Sequence, residues 1–240
     1  GPDILGIQLG MRPDEFVSNL NNYFKSRIIY KPFDALKDSK DATKGTQITS
    51  HNAHIPNEDE VIGVLYTLLP DNPHVMSIAR YKTYPVGKEP SLQNVMKALT
   101  DKYGQPSMET TNPMDRGNRQ TGTPRSWVWV LNKDKKNCAM WRGKPTFKGG
   151  VPAPRNNLIA SGVSSTPMDT SGNNPDTCSD LLGITVGIFK GDIVGNISFR
   201  MIDTSEMATS PVKWAKYQEQ LEQERITRLK AKANSNTPAL

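Results

Sequence analysis

Catalytic signatures are missing from this sequence. It has no Gly-x-Ser-x-Gly nucleophile elbow, no Gly-x-x-x-x-Gly-Lys-[Ser/Thr] loop and no Gly-x-Gly-x-x-Gly turn. Neither a serine hydrolase of that type nor a nucleotide-phosphate cradle is therefore supported. Long apolar runs are missing too. No stretch approaches the roughly 18 residues that a bilayer-spanning helix needs, and mean hydropathy is −0.58. Cysteine is confined to Cys138 and Cys178, a spacing that fits no zinc or redox motif. Histidine is limited to His51, His54 and His74, which leaves few residues for imidazole chemistry.

What is present points to a folded chain rich in loops. The 240 residues suffice for one large domain or two small ones. Hydrophobic residues make up 35%, and the β-branched and aromatic residues among them argue against general disorder. Gly and Pro number 18 each, which implies substantial irregular segments. The net charge of +6 is spread from Lys25 to Lys232 without dense aromatic interleaving, so it reads as a basic surface. The Gly1-Pro2 start, without an initiator methionine, looks like a protease-cleavage remnant. A signal peptide or anchor is expected to have preceded residue 3.

The pattern centres on Cys178 to Asp203. Two β-rich runs flank Lys190-Gly191-Asp192, as in a hairpin. Ile193, Gly195, Ile197, Phe199 and Met201 share one face at period two; Val194, Asn196, Ser198 and Arg200 share the other, more polar face. Further strands are expected over Ile4–Met11, from Arg27, over Thr46–Ile55, Val61–Leu69, Val75–Tyr84, Leu158–Val163 and Ser126–Leu131, with Ala139–Trp141 continuing the pairing. Trp127 and Trp129 fall on one face of their strand. A helix starts at Pro13 with acids behind it, and its stripe is Phe16, Leu20 and Phe24. A second runs from Leu92 to Tyr103 behind Ser91 and ends at Gly104. A third is expected to open at Ser210-Pro211 and carry Trp214, Tyr217 and Leu221. Long loops are expected at Asp34–Lys44, Ser107–Arg125 and Arg142–Thr177. Leu5–Gly10 echoes Leu182–Gly187, as if two such strands lay side by side.

The order of elements, without strict βαβ alternation, implies an α+β fold. It would have a mainly antiparallel sheet, two packed helices and a C-terminal helix. The domain would span 3–209, with possible similar halves at about 3–106 and 126–209, followed by a helix and tail at 210–240.

Candidate sites are few. Cys138 and Cys178, 40 residues apart, are either unrelated buried thiols or a disulfide of an oxidising compartment. Their places at strand ends beside a Gly/Pro-rich loop favour the disulfide, worth about 4 kcal/mol on chain-entropy grounds. His51-x-x-His54 ahead of Glu58, Asp59 and Glu60 is a possible metal site, weighed against a solvated loop. Asp169–Asp176 is oxygen-rich but lacks the EF-hand ligand pattern, and an Asx-turn loop accounts for it better. Trp127 and Trp129 are either core residues or a stacking platform. No cofactor is expected.

Gly6-Ile7-Gln8-Leu9-Gly10-Met11-Arg12-Pro13-Asp14-Glu15-Phe16 resembles the Gly-Met-x-x-(acid) helix start of small bacterial envelope lipoproteins of the outer-membrane-assembly BamE/SmpA type. Leu99 to Pro106 resembles the Leu…Gly-x-Pro end of such a helical unit. The two segments cover about a tenth of the chain and lie on different helices here. The resemblance implies a periplasmic or secreted bacterial protein without enzymatic chemistry. The expected function is extracytoplasmic binding or assembly of another macromolecule, a protein of the envelope or exterior. Contacts would come from the long loops and the last helix, with Trp127, Trp129, Trp214, Arg225 and Arg228 as candidate contact residues. One alternative is a secreted hydrolase with a site assembled from scattered His, Asp and Glu. Another is a nucleic-acid or anionic-surface binder using Lys213, Lys216, Arg225, Arg228, Lys230 and Lys232, although nucleic acid is not the expected partner.

Overall fold

The computed structural model describes residues 1–24, 29–33, 50–55, 59–111, 123–138, 140–141, 144–145, 170 and 172–235. The expected loop at Asp34–Lys44, the strand at Leu158–Val163, Asp169, Glu58 and most of Arg142–Thr177 lie outside these residues. Among the described residues the fold is α+β, built on one eight-stranded antiparallel sheet. Its strands in chain order are β1 (Ile29–Phe33), β2 (Ser50–Ile55), β3 (Glu60–Tyr66), β4 (Val75–Thr83), β5 (Met108–Thr111) and β6 (Thr123–Val130). A short ribbon of β7 (Met140–Trp141) and β8 (Lys144–Pro145) follows, then β9 (Leu181–Phe189) and β10 (Ile193–Ile202). The sheet order is β1-β2-β3-β4-β10-β9-β6-β5.

Three helices accompany the sheet: α1 (Pro13–Tyr23), α2 (Leu92–Tyr103) and α3 (Thr204–Ser235). A helix followed by a four-stranded meander therefore occurs twice, as α1-β1-β2-β3-β4 over 13–83 and as α2-β5-β6-β9-β10 over 92–202. The helix α2 opens the second unit. The last strand of each meander, β4 and β10, pair at the centre from Asn196↔Thr83 to Ile202↔Ser77.

The two faces of the sheet differ. On one face Ile62, Val64, Ile78, Trp127, Trp129, Ile184, Phe199 and Met201 pack with Phe16 and Leu20 of α1 and Val95 and Leu99 of α2. Each large side chain fully buried there contributes about 1.5–3 kcal/mol. On the opposite face, at one end, Leu65, Val128, Leu181 and Ile202 pack with Met207 and Ala208 of α3. The helix starts agree with local chemistry. The Glu15 carboxylate accepts from Arg12 N at 2.7 Å, and Ser91 Oγ accepts from Asn94 N at 3.2 Å.

Several expectations change once tertiary pairing enters. Ile4–Met11 is no continuous strand: Ile4 and Ile7 exchange backbone hydrogen bonds around Leu5 and Gly6, both at positive φ. That local turn removes the ladder, so the echoing segments do not pair, and β9 lies between β10 and β6. Part of Ser107–Arg125 is strand, because β5 pairs with β6 from Met108↔Val128 to Thr111↔Arg125. Residues 112–122 lie outside the described set. The last helix begins at Thr204, where Asp203 Oδ1 accepts from Glu206 N at 2.9 Å. Ser210 is buried inside it, and its hydroxyl accepts from Leu68 N at 2.8 Å. In β10 a bulge between Val194 and Asn196 breaks the period, so Val194 is buried and Ile193 exposed. A Cβ on Gly195 would stand 1.8 Å from a ring carbon of Phe189.

Gly195→Val is expected to lower stability by about 1–3 kcal/mol through overpacking, read as a lower urea midpoint; an unchanged midpoint would refute this account of the bulge. Cys138 and Cys178 form a disulfide with Cα atoms 5.4 Å apart. Replacing both by Ser is expected to cost about 2–4 kcal/mol, while thiol alkylation of the unreduced wild type should label neither cysteine.

Candidate functional site: the polar rows of the α3 face

The pairing register arranges the α3 face in rows across the sheet. Nearest the helix run Ser50, Leu65, Ser77, Ile202, Leu181 and Val130. The next row is Asn52, Gly63, Ala79, Arg200, Gly183, Val128 and Met108. Beyond it lie His54, Val61, Tyr81, Ser198, Thr185 and Ser126. Thr83, Asn196, Gly187 and Pro124 follow. Of these rows only Leu65, Ile202, Leu181 and Val130 of the first, and Val128, belong to the cluster that α3 closes. Past them the face changes from apolar to hydroxyl- and amide-bearing.

Arg200 stands in the middle of this face, on a central strand, with Ala79 and Gly183 as its neighbours in register. Neither neighbour has a side chain beyond Cβ. Among the described residues the guanidinium has no hydrogen-bond or ion-pair partner, and burial draws its pKa below the ordinary value. The adjacent row is partly tied together: the Ser126 and Thr185 hydroxyls lie 2.8 Å apart, and Ser198 Oγ donates to Thr185 O at 3.4 Å. The buried Asn52 Oδ1 and Thr83 Oγ1 have no hydrogen-bond partner among the described residues. The described side chains of the four rows include no carboxylate.

The residues singled out from sequence sit elsewhere. His51 is buried on the α1 face, stacked on Phe16 at 5.8 Å, with Nδ1 2.8 Å from Tyr66 Oη. His54, three residues on in the same strand, is exposed on the opposite face, so the two imidazoles cannot share one ion. Glu60 is taken up by Arg80 Nε at 2.6 Å and Lys82 Nζ at 3.0 Å. No group of three or more His, Cys, Asp or Glu residues fit to hold a metal occurs among the described residues. Trp127 and Trp129 are buried beneath the helices, and Trp129 Nε1 donates to Gly104 O at 2.9 Å; they serve the core. On α3, Trp214 is half-buried beside Tyr217, Arg225 forms a two-bonded pair with Glu222, and Arg228 is exposed. Lys213 pairs with Asp71 at 2.8 Å.

The period of the strand places Arg200 on the polar face but does not mark it as a site residue. A strand pattern shows which side a residue faces and not which neighbours flank it across the sheet.

Two other places merit comparison. An open cleft of about 490 Å³ is lined by Gln8, Leu9, Gly10, Met11, Glu15, Ser18 and Asn19. Its one acid, Glu15, is engaged in capping α1, which leaves no acid/base pair. Near the disulfide, Asp180 is raised above the ordinary carboxylate range by burial and then by the charge of Asp203. Both carboxylates serve local structure: Asp180 accepts from Asn132 Nδ2 at 3.1 Å and Asp203 caps α3. Comparison with protein-family models, curated proteins and solved structures finds no match to this chain.

The raised Asp180 value fixes a pH response. Its folded pKa lies above its unfolded one, so the protonated carboxyl is the form that folding favours. The ionised form therefore costs stability as pH rises above the ordinary value of 3.8. Asp180→Asn is expected to raise the urea midpoint at neutral pH and to leave it nearly unchanged in strong acid. A lower midpoint at neutral pH would show that the carboxylate's hydrogen bonds outweigh its desolvation.

Proposed function

We propose that this protein is a non-catalytic binding or assembly protein of an oxidising, extracytoplasmic compartment, and that it recognises a protein partner through the polar part of its α3 face. One observation carries the reading: a central sheet face with closely spaced polar residues and a half-buried arginine that has no partner, and no carboxylate beside it, among the described residues. A sheet presents such a surface rigidly, so little conformational entropy is lost when a partner docks. The Cys138–Cys178 disulfide is compatible with the compartment, and no described helix is long and apolar enough to cross a membrane. The projecting part of α3 would supply a second contact. The helix has 32 residues, about 48 Å at 1.5 Å per residue, and its apolar packing is concentrated at Met207 and Ala208.

The nucleic-acid reading loses support from the pairing of Lys213 with Asp71 and of Arg225 with Glu222. The hydrolase reading loses support because the perturbed carboxylate described above is spent on structure.

Photo-crosslinking side chains placed at Tyr81 and Ser126 should capture a discrete protein partner from the native extract. The same group at Lys97, exposed on α2, should not. Equal capture from all three positions, or none from the sheet face, would sink the proposal.

A further inference from the structure

Arg200 is held in an arrangement that isolated packing does not account for. A guanidinium offers five N–H donors, and removing it partly from water without an acceptor is unfavourable. The other arginines of the sheet among the described residues are matched: Arg80 with Glu60 and the Phe199 ring, and Arg125 with Glu109 and the Trp127 ring. Arg200 alone lies at the centre of a sheet face with small neighbours on both sides and no partner among the described residues.

We infer that Arg200 is the anchor of a carboxylate subsite, which receives an acidic side chain of the protein partner. The inference rests on the reading of this face as the binding surface and adds the partner's chemistry to it. Two features select a carboxylate. The guanidinium fork matches a planar carboxylate with two parallel hydrogen bonds. Charge also discriminates, because a phosphate dianion is usually met by clustered cations, whereas Arg200 is the one Lys or Arg among the described side chains of the four rows. The hydroxyls of Ser198 and Thr185 in the adjacent row provide further polar contacts for the chain that carries the acid.

The test is a titration of the intact protein, followed by NMR at the arginine Nε–Hε groups. The probes are acetyl-Ser-Glu-Ser-amide, its Gln counterpart and inorganic phosphate, all at matched ionic strength. The Glu peptide should shift the Arg200 Nε–Hε resonance and the amides of Gly183 and Ser198. The Gln peptide and phosphate should each bind at least about tenfold more weakly. Arg200→Met should abolish the response and Arg228→Met should leave it intact. In peptide-free buffer, Arg200→Met should melt no lower than the wild type, because the lost guanidinium has no folded-state partner. Equal responses to the Glu and Gln peptides, a phosphate response as strong as the Glu response, no response, or a lower melting temperature for Arg200→Met would each overturn the inference. If crosslinking from Tyr81 and Ser126 persists while the carboxylate response fails, the subsite falls and the binding face stands. If that crosslinking is absent, the binding face itself falls.

Discussion

The pairing of β4 with β10 is the constraint on which the rest of this structure depends. Each is the last strand of its own helix-plus-meander unit, and their seven-residue register runs from Asn196↔Thr83 to Ile202↔Ser77. Without that seam each unit would present an unpaired central edge, an invitation to wrong pairing. With it, two small sheets become one, and the helices α1 and α2 share a continuous apolar floor. The seam is braced on the helix side by Arg80, which bonds Glu60 and lies over the Phe199 ring at 5.2 Å from its centre. The buried Glu60 carboxylate also bonds the half-buried Lys82, so removing it would take the acid from between two cations.

The same seam produces the difference between the two faces. A strand buried on both sides reads as a continuous apolar run, whereas one covered on a single side alternates. The strand β3 is buried along its whole length and reads as an apolar run, while β10 alternates in chemistry through Ile197, Ser198, Phe199, Arg200 and Met201 although Ser198 is buried too. The helix α3 closes the end of the second face where Leu65, Leu181 and Ile202 lie. It does not extend its apolar contact to the hydroxyl-bearing rows. A molecule that needed only stability would gain by making those rows apolar or by covering them. Their polarity, and the half-buried Arg200 among them, cost stability relative to an apolar face.

Much of the local structure was legible in the sequence. The helices at Pro13 and Leu92 followed from acids or a serine at the cap and from apolar stripes at helical spacing, and the hairpin around Lys190-Gly191-Asp192 followed from turn chemistry between two strands. The errors share a cause. Leu5-Gly6 looked like part of a strand because apolar residues surround it, yet positive φ at both residues makes a tight turn. Ser210-Pro211 looked like a helix start because both residues favour that position, yet the Ser210 hydroxyl is used by Leu68 N, 142 positions away in sequence. The segment before Trp127 looked like loop because its strand character comes from β5 and β9 on either side. In each case a long-range or conformational term outweighed local preference.

The sequence alone determined the class of fold, the helix stripes, the polar and apolar sides of the last hairpin, and the pair of cysteines available for a crosslink. These depend on periods of two and 3.6 residues and on turn chemistry, which are local properties. The tertiary structure decided which strands became neighbours. It separated His51 from His54, buried Trp127 and Trp129 beneath α2 and its surroundings, and left Arg200 between Ala79 and Gly183 without a partner among the described residues. Those outcomes depend on register across the sheet between residues as far apart in sequence as Ser77 and Ile202, and no window along the chain contains that information.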